Sequence, residues 1–309
     1  MSRLKHALES LVYWSGISDL FAALTHADGA VILMYHSVAV AAQSESIDPP
    51  NHVPAEIFER QMRFLSTNRR VISMRELLDS MHRGATSPGG TVVLTFDDGY
   101  RDNASVAAPI LDRYRLPATL FLPTGYIERT QTHWADEWHS MLRNRTNSRV
   151  DLPGFGVFDF SNPRSSGPAE RSIRKALLEA RFESRARILD AIRDQFQPRA
   201  PIPTLTMNWP EVRSLAERFP LFDLGTHTRD HIDLRSNRGE VARRELETSA
   251  ADFERELGRR AELFSFPYGR WCAETRAMLE HTGVRGAVGS GGRLRISAGS
   301  DRFVMSRLA

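Results

Sequence analysis

Short apolar runs alternate along the chain with longer amphipathic ones. Val31–Tyr35, Val92–Phe96, Thr119–Leu122, Phe222–Gly225, Leu263–Phe266 and Gly286–Val288 have the length of buried strands. Helical periodicity recurs over Ala55–Leu65, Met74–Met81, Ala104–Tyr114, Glu170–Gln195, Trp209–Arg218, Gly239–Leu257 and Glu274–His281. Strands that alternate with helices predict a mostly parallel sheet with crossover helices. About seven such units predict a closed α/β barrel rather than a small open sheet.

Two stretches stand outside this alternation. Residues 128–205 hold a polar, Arg- and Ser-rich run, a Gly/Pro-containing segment and a charged helix. They read as a partly helical insertion between two barrel units within a domain spanning 29–309. Residues 1–28 read as an amphipathic helix, with Leu8, Leu11, Val12, Trp14, Ile17, Leu20, Phe21 and Leu24 at helical spacing and Gly16 interrupting them. Such a helix either packs on the domain surface or makes a peripheral membrane contact through residues 4–24. The basic Arg3 and Lys5 are followed by Glu9 and Asp19, and no clean apolar core with a cleavage site follows, so it does not read as a secretory signal.

Composition narrows the class without choosing a function. The chain has 309 residues, 41% apolar and 26% charged, which suits a globular protein and excludes collagen, coiled coil and wholesale disorder. No apolar run approaches the roughly 20 residues of a membrane-spanning helix. Cys272 is the only cysteine, which excludes an intrachain disulfide and a Cys-rich zinc site. Of the 41 basic residues only Lys5 and Lys175 are lysines, net charge is +3, and no basic block of five appears, so no nucleic-acid partner is expected. A single cysteine and the missing signal favour the cytoplasm, with attachment at the inner membrane face if the N-terminal helix binds lipid.

The chemistry lies at three strand ends. Asp97 and Asp98 follow the apolar run Val92–Leu94 and precede Gly99. Adjacent ionised carboxylates repel, so a fold keeps them together only with a cation or strong donors nearby. His227 and His231 follow the strand-like run Leu221–Leu224, and on one helical turn a spacing of four puts both imidazoles on one face. With a carboxylate such as Asp98 they would complete a metal site with open positions for water and substrate. Pro267-Tyr268-Gly269 is a turn that could aim the Tyr268 N–H at an oxyanion, although alone it is an ordinary turn.

In that order TFDDGYRDN (95–103), HTRDHIDL (227–234) and FSFPYG (264–269) resemble the first three motifs of the NodB-homology polysaccharide deacetylases, carbohydrate esterase family four. MYHSV (34–38) resembles the subgroup related to poly-N-acetylglucosamine deacetylases. The resemblance implies a distorted (β/α) barrel that hydrolyses N-acetyl groups of an amino sugar in a bacterial surface glycan or its precursor. It implies a divalent metal, zinc first and manganese, cobalt or nickel as alternatives, on Asp98, His227 and His231. Asp97 matches the catalytic base, and Tyr268 matches the residue whose N–H polarises the acetyl carbonyl. Thr228 matches the Ser/Thr that follows the first ligand, and Trp209 reads as core packing. The implied partner is an N-acetylated saccharide.

Two positions depart from the family pattern. Ser265 stands where many members carry the arginine that orients the base, and the C-terminal DRFVMSRL lacks the histidine that supplies the catalytic acid. His281 reads as the end of a helix. In the subgroup with an early Tyr-His the histidine takes that role, which makes His36 the candidate acid. Another amide or an O-acetyl ester as substrate, or a carbohydrate-binding relative without catalysis, are the alternative readings.

Overall fold

The computed structural model describes residues 27–40, 44–152 and 154–309; the helix expected at the N-terminus, with its membrane contact, lies outside them up to residue 26. Seven parallel strands among the described residues close into a barrel: β1 (Ala30–Tyr35), β2 (Thr91–Phe96), β3 (Ala118–Leu122), β4 (Phe222–Thr226), β5 (Leu263–Ser265), β6 (Gly286–Gly289) and β7 (Met305–Leu308). The longest pairing, β1 with β2, runs from Ala30–Thr91 to Tyr35–Phe96. Closure comes from β7, whose Arg307 and Leu308 pair with Ile32 and Leu33. The β4–β5 seam holds a single register pair, Phe264 with Thr226, and distorts the barrel there.

Six of these strands coincide with the expected apolar runs. β7 does not, because Met-Ser-Arg-Leu carries too little apolar character to stand out. Strand alternation explains why it fits. Val92, Leu94 and Phe96 pack outward against Phe58, Met62 and Leu65 of helix α1 (Ala55–Asn68). Val93 shares a second cluster with Ile32, Phe121, Leu263, Val288 and Met305, and α2 (Met74–His82) adds Leu77 and Leu78 to it. Met305 therefore faces the barrel interior, and Arg307, two residues on, faces the same interior nearer its carboxyl-terminal end.

Further α-helices among the described residues are α3 (Ala108–Arg113), α4 (Thr124–Arg129), α5 (Trp134–Asn144), α6 (Pro163–Glu179), α7 (Phe182–Phe196), α8 (Trp209–Arg218), α9 (Glu240–Leu257) and α10 (Ala273–Leu279). The run expected as one helix over Glu170–Gln195 is two, with Ala180 extended between them (ψ 143). The cause is Arg185, whose guanidinium donates to the carbonyls of Leu177 (2.8 Å) and Ala180 (3.2 Å) and ends α6. Arg185 is 2% exposed and lies over the Trp134 ring. Between α4 and α8, α5, a hairpin (Arg149–Leu152 and Gly156–Asp159), α6 and α7 surround an apolar cluster of their own, including Trp138, Phe160 and Phe196. Trp209 packs in the main core, as read from the sequence, and its indole N–H donates to Glu128 (2.8 Å). Among the described residues no helix is long and apolar enough to cross a membrane.

Candidate active site

The carboxyl-terminal ends of the barrel strands surround a cavity of about 460 Å³, with Asp97, Asp98, His227, His231, His36 and Tyr268 among its lining residues. All six candidates thus converge. Backbone conformation shapes the convergence: Asp98 (φ 70), Thr228 (φ 60), His231 (φ 48) and Tyr268 (φ 58) all occupy the left-handed region. Non-glycine residues held there cost about 1–3 kcal/mol each and cluster at functional sites. The His227–His231 pair departs from the helical turn expected for it. The segment is a loop after β4, and the left-handed turns at Thr228 and His231, not a helical face, bring the two rings to a centroid separation of 4.8 Å.

The donor atoms of Asp98, His227 and His231 lie within 4.8 Å of one another, and all three residues are buried. Asp98 Oδ1 is 3.2 Å from His231 Nε2 and 3.7 Å from His227 Nε2, yet it has no hydrogen-bond partner among the described residues. His227 Nδ1 faces the Ser265 carbonyl at 2.7 Å, and a carbonyl only accepts. The proton therefore sits on Nδ1, and Nε2 turns a lone pair to the cavity. Burial pushes the His227 pKa down to about 4, which keeps the ring neutral. An unpartnered carboxylate oxygen and a neutral imidazole with its lone pair directed inward fit a divalent cation.

Asp97 is managed differently. Its two oxygens receive Arg307 Nη1 (2.8 Å) and Nη2 (2.6 Å), a bidentate pair formed across 210 residues of sequence. Arg307 Nη2 also donates to Ser265 Oγ (2.9 Å). The sequence pointed to Ser265 as the place of a missing base-orienting arginine; in the fold, a guanidinium from β7 reaches the same carboxylate past that serine. Burial alone would raise the Asp97 pKa, but the Arg307 charge and hydrogen bonds, with His227 alongside, hold it below the usual carboxylate value. No signal in the sequence marks Arg307 apart from its parity with Met305 along β7.

His36 follows β1, with its carbonyl held by Asn103 Nδ2 (2.8 Å) and its ring half-buried at the cavity. His281 is exposed in a separate groove beside α9 and α10. Tyr268 OH takes the indole N–H of Trp134 (2.8 Å) and points toward the His231 carbonyl (3.4 Å). His133, also missed in the sequence, is buried with Nε2 3.1 Å from His231 Nδ1. Arg174 and Lys175 of α6 line the cavity too, and Arg174 pairs with Asp48 at 2.6 and 3.1 Å. Two larger hollows, of about 560 and 580 Å³, lie away from this chemistry.

The family model described as polysaccharide deacetylase matches residues 84–287. Bacillus subtilis YxkH, which carries a polysaccharide deacetylase name, is 34% identical over 92 residues, a match that takes in 29% of this chain and 30% of that protein's length. The Streptococcus pyogenes deacetylase PplD, solved with acetate, has a similar fold: TM-score 0.59, 17% identity, 92% of both chains covered. IcaB from Ammonifex degensii gives 0.59 and 18% over 92% and 93% of the two chains. A de-N-acetylase from Aggregatibacter actinomycetemcomitans gives 0.56 and 20% over 91% and 94%.

Proposed function

Because the chain belongs to the polysaccharide deacetylase family, we propose that it hydrolyses N-acetyl groups from an amino sugar in a bacterial surface glycan or its precursor, with a divalent cation held by Asp98, His227 and His231. The observation that supports this most is the pairing of roles in one cavity: Asp98 has an unpartnered oxygen beside two imidazoles, while its neighbour Asp97 is held by Arg307. Two adjacent carboxylates in different environments are suited to different tasks.

A cation bound there would supply Lewis acidity, acidifying water and polarising the acetyl carbonyl. Asp97, ionised at neutral pH, takes the proton of the attacking water; its Oδ1 accepts from Arg307 Nη1 and keeps a lone pair for that water, while Oδ2 accepts from both Arg307 Nη2 and the Ser265 hydroxyl. The Tyr268 N–H stabilises the oxyanion that forms on the acetyl carbon, a contribution of about 2.7–4 kcal/mol for one such donor. His36 protonates the sugar nitrogen as the C–N bond breaks, because an amide nitrogen leaves poorly without a proton. The products are acetate and a free amine.

Acetate release from N-acetylated glucosamine oligomers, measured beside metal content, tests the proposal. Asp97→Asn is expected to lower turnover by about 10²–10⁴-fold with metal retained. Asp98→Asn is expected to lose both metal and turnover. Near-native rates in Asp97→Asn would remove the base assignment. Metal binding with acetate released only from O-acetyl esters would remove the N-acetyl substrate, and metal binding with no release at all would favour a carbohydrate-binding protein.

A further inference from the structure

A third imidazole stands behind the two histidines of the cavity. His133 caps the start of α5, the first helix of the insertion, and its Nε2 lies 3.1 Å from His231 Nδ1. The two rings meet edge to face, with centroids 4.4 Å apart at 86°. His133 is 4% exposed and His231 3%, so bulk water does not compete for the contact. The next residue, Trp134, reaches the backbone of His231 through Tyr268 OH. Two adjacent residues of the insertion thus brace both the ring and the main chain of one candidate ligand.

We propose that His133 is a positioning residue of the metal centre: it accepts the Nδ1 proton of His231 and thereby leaves the Nε2 lone pair of His231 for the cation. This rests on the reading that His231 is a ligand. The physical reason is tautomeric. A neutral imidazole presents a lone pair on one nitrogen only while the other carries the proton. For His227 the partner is a carbonyl, so the tautomer is set outright. For His231 the partner is another imidazole, which can donate or accept.

The two arrangements differ in which ring donates and in the bond His133 Nδ1 makes. The Ala135 N–H approaches His133 Nδ1 at 3.4 Å, which favours a proton on His133 Nε2. In that arrangement His133 donates to His231, and the His231 proton sits on Nε2, the nitrogen the cation needs. Loading the cation requires the reverse: His231 Nδ1–H donates to His133 Nε2, and the His133 proton moves to Nδ1, which gives up the 3.4 Å bond from the Ala135 N–H. Each ring carries one proton before and after, so no net proton is gained or lost. One ligand is preset by the barrel and the other is set by the insertion, which makes the insertion part of the metal centre.

The test titrates the metal-stripped full chain with Zn²⁺ by calorimetry and with Co²⁺ by visible absorption. His133→Phe keeps a ring without an acceptor, and His133→Gln restores an acceptor oxygen. The expected result is a loss of about 10–100-fold in Zn²⁺ affinity for His133→Phe, with most of it recovered in His133→Gln and a changed Co²⁺ spectrum in the former. Wild-type affinity in His133→Phe overturns the proposal, as does an equal loss in both variants. Nitrogen NMR of the Zn²⁺-loaded wild type decides if the variants fail to fold: an unprotonated His133 Nε2 supports the proposal and a protonated one overturns it. Unchanged Zn²⁺ affinity in Asp98→Asn would instead remove the metal reading itself.

Discussion

Asp97 is 2% exposed, and a carboxylate in that position would be neutral without a partner. Arg307, whose side chain is also 2% exposed, offsets the burial with two hydrogen bonds, so the pair stands or falls together. Removing one partner of a buried ion pair costs about 3–5 kcal/mol because the other charge is left uncompensated. Arg307→Met is therefore expected to lower thermal stability and to shift the acid limb of the pH–rate profile upward, since the Asp97 pKa rises once the guanidinium is gone. In Arg307→Ala, added guanidinium is expected to restore part of the turnover, measured as acetate release; an unshifted acid limb in both variants would contradict a role for Arg307 in holding the base. The stability contribution of this pair has the sign of a depressed acid: present above the usual carboxylate range and lost as pH falls through the native value.

At the scale of elements, the loop that carries His227 and His231 is held from two helices. Glu245 of α9 accepts both consecutive amides, Arg229 N–H (3.0 Å) and Asp230 N–H (2.8 Å), on one oxygen. α4 approaches from the other side, with Gly125 N–H on the Arg229 carbonyl at 2.9 Å. A Cβ at Gly125 would lie 2.9 Å from that carbonyl oxygen and 2.6 Å from Asp230 Oδ1, so only glycine permits the approach. Burial raises the Glu245 pKa from 4.5 to about 7, against the two amide bonds that lower it. For a raised acid the unfolded chain ionises first, so the contribution of Glu245 to stability declines as pH rises from about 4.5 through about 7. Glu245→Gln keeps an acceptor oxygen and removes the titration. Melting curves across that window are expected to show a smaller decline in the variant than in the wild type; identical slopes would mean that Glu245 does not govern this dependence.

At the scale of the molecule, the three metal-capable residues come from the end of β2 and the loop after β4, two strands that flank β3, and only the folded sheet brings them within 4.8 Å. The unfolded chain has no such cluster, so a cation that binds the native state alone stabilises it. At a metal concentration 100 times the dissociation constant, that amounts to about 2.7 kcal/mol. Zn²⁺ is expected to raise the melting temperature of metal-stripped protein by a few degrees, and Asp98→Asn to abolish the rise. A rise of equal size in Asp98→Asn would place the cation elsewhere.

Chemistry confined to a short stretch was legible in the sequence. Asp97-Asp98, His227 with His231, and Pro267-Tyr268-Gly269 each lie within a few residues, and the apolar runs ahead of them marked strand ends, so the barrel could be read from local order and its reactive rim from short motifs that together resemble a family. The tertiary structure decided which distant side chains complete that rim. Arg307 meets Asp97 across 210 positions and His133 meets His231 across 98. One contact depends on strand register at the barrel's closure and the other on how the insertion settles over its open end. Neither is encoded in periodicity or motif, because an arginine among many and a lone histidine take their roles only from what the folded chain sets against them.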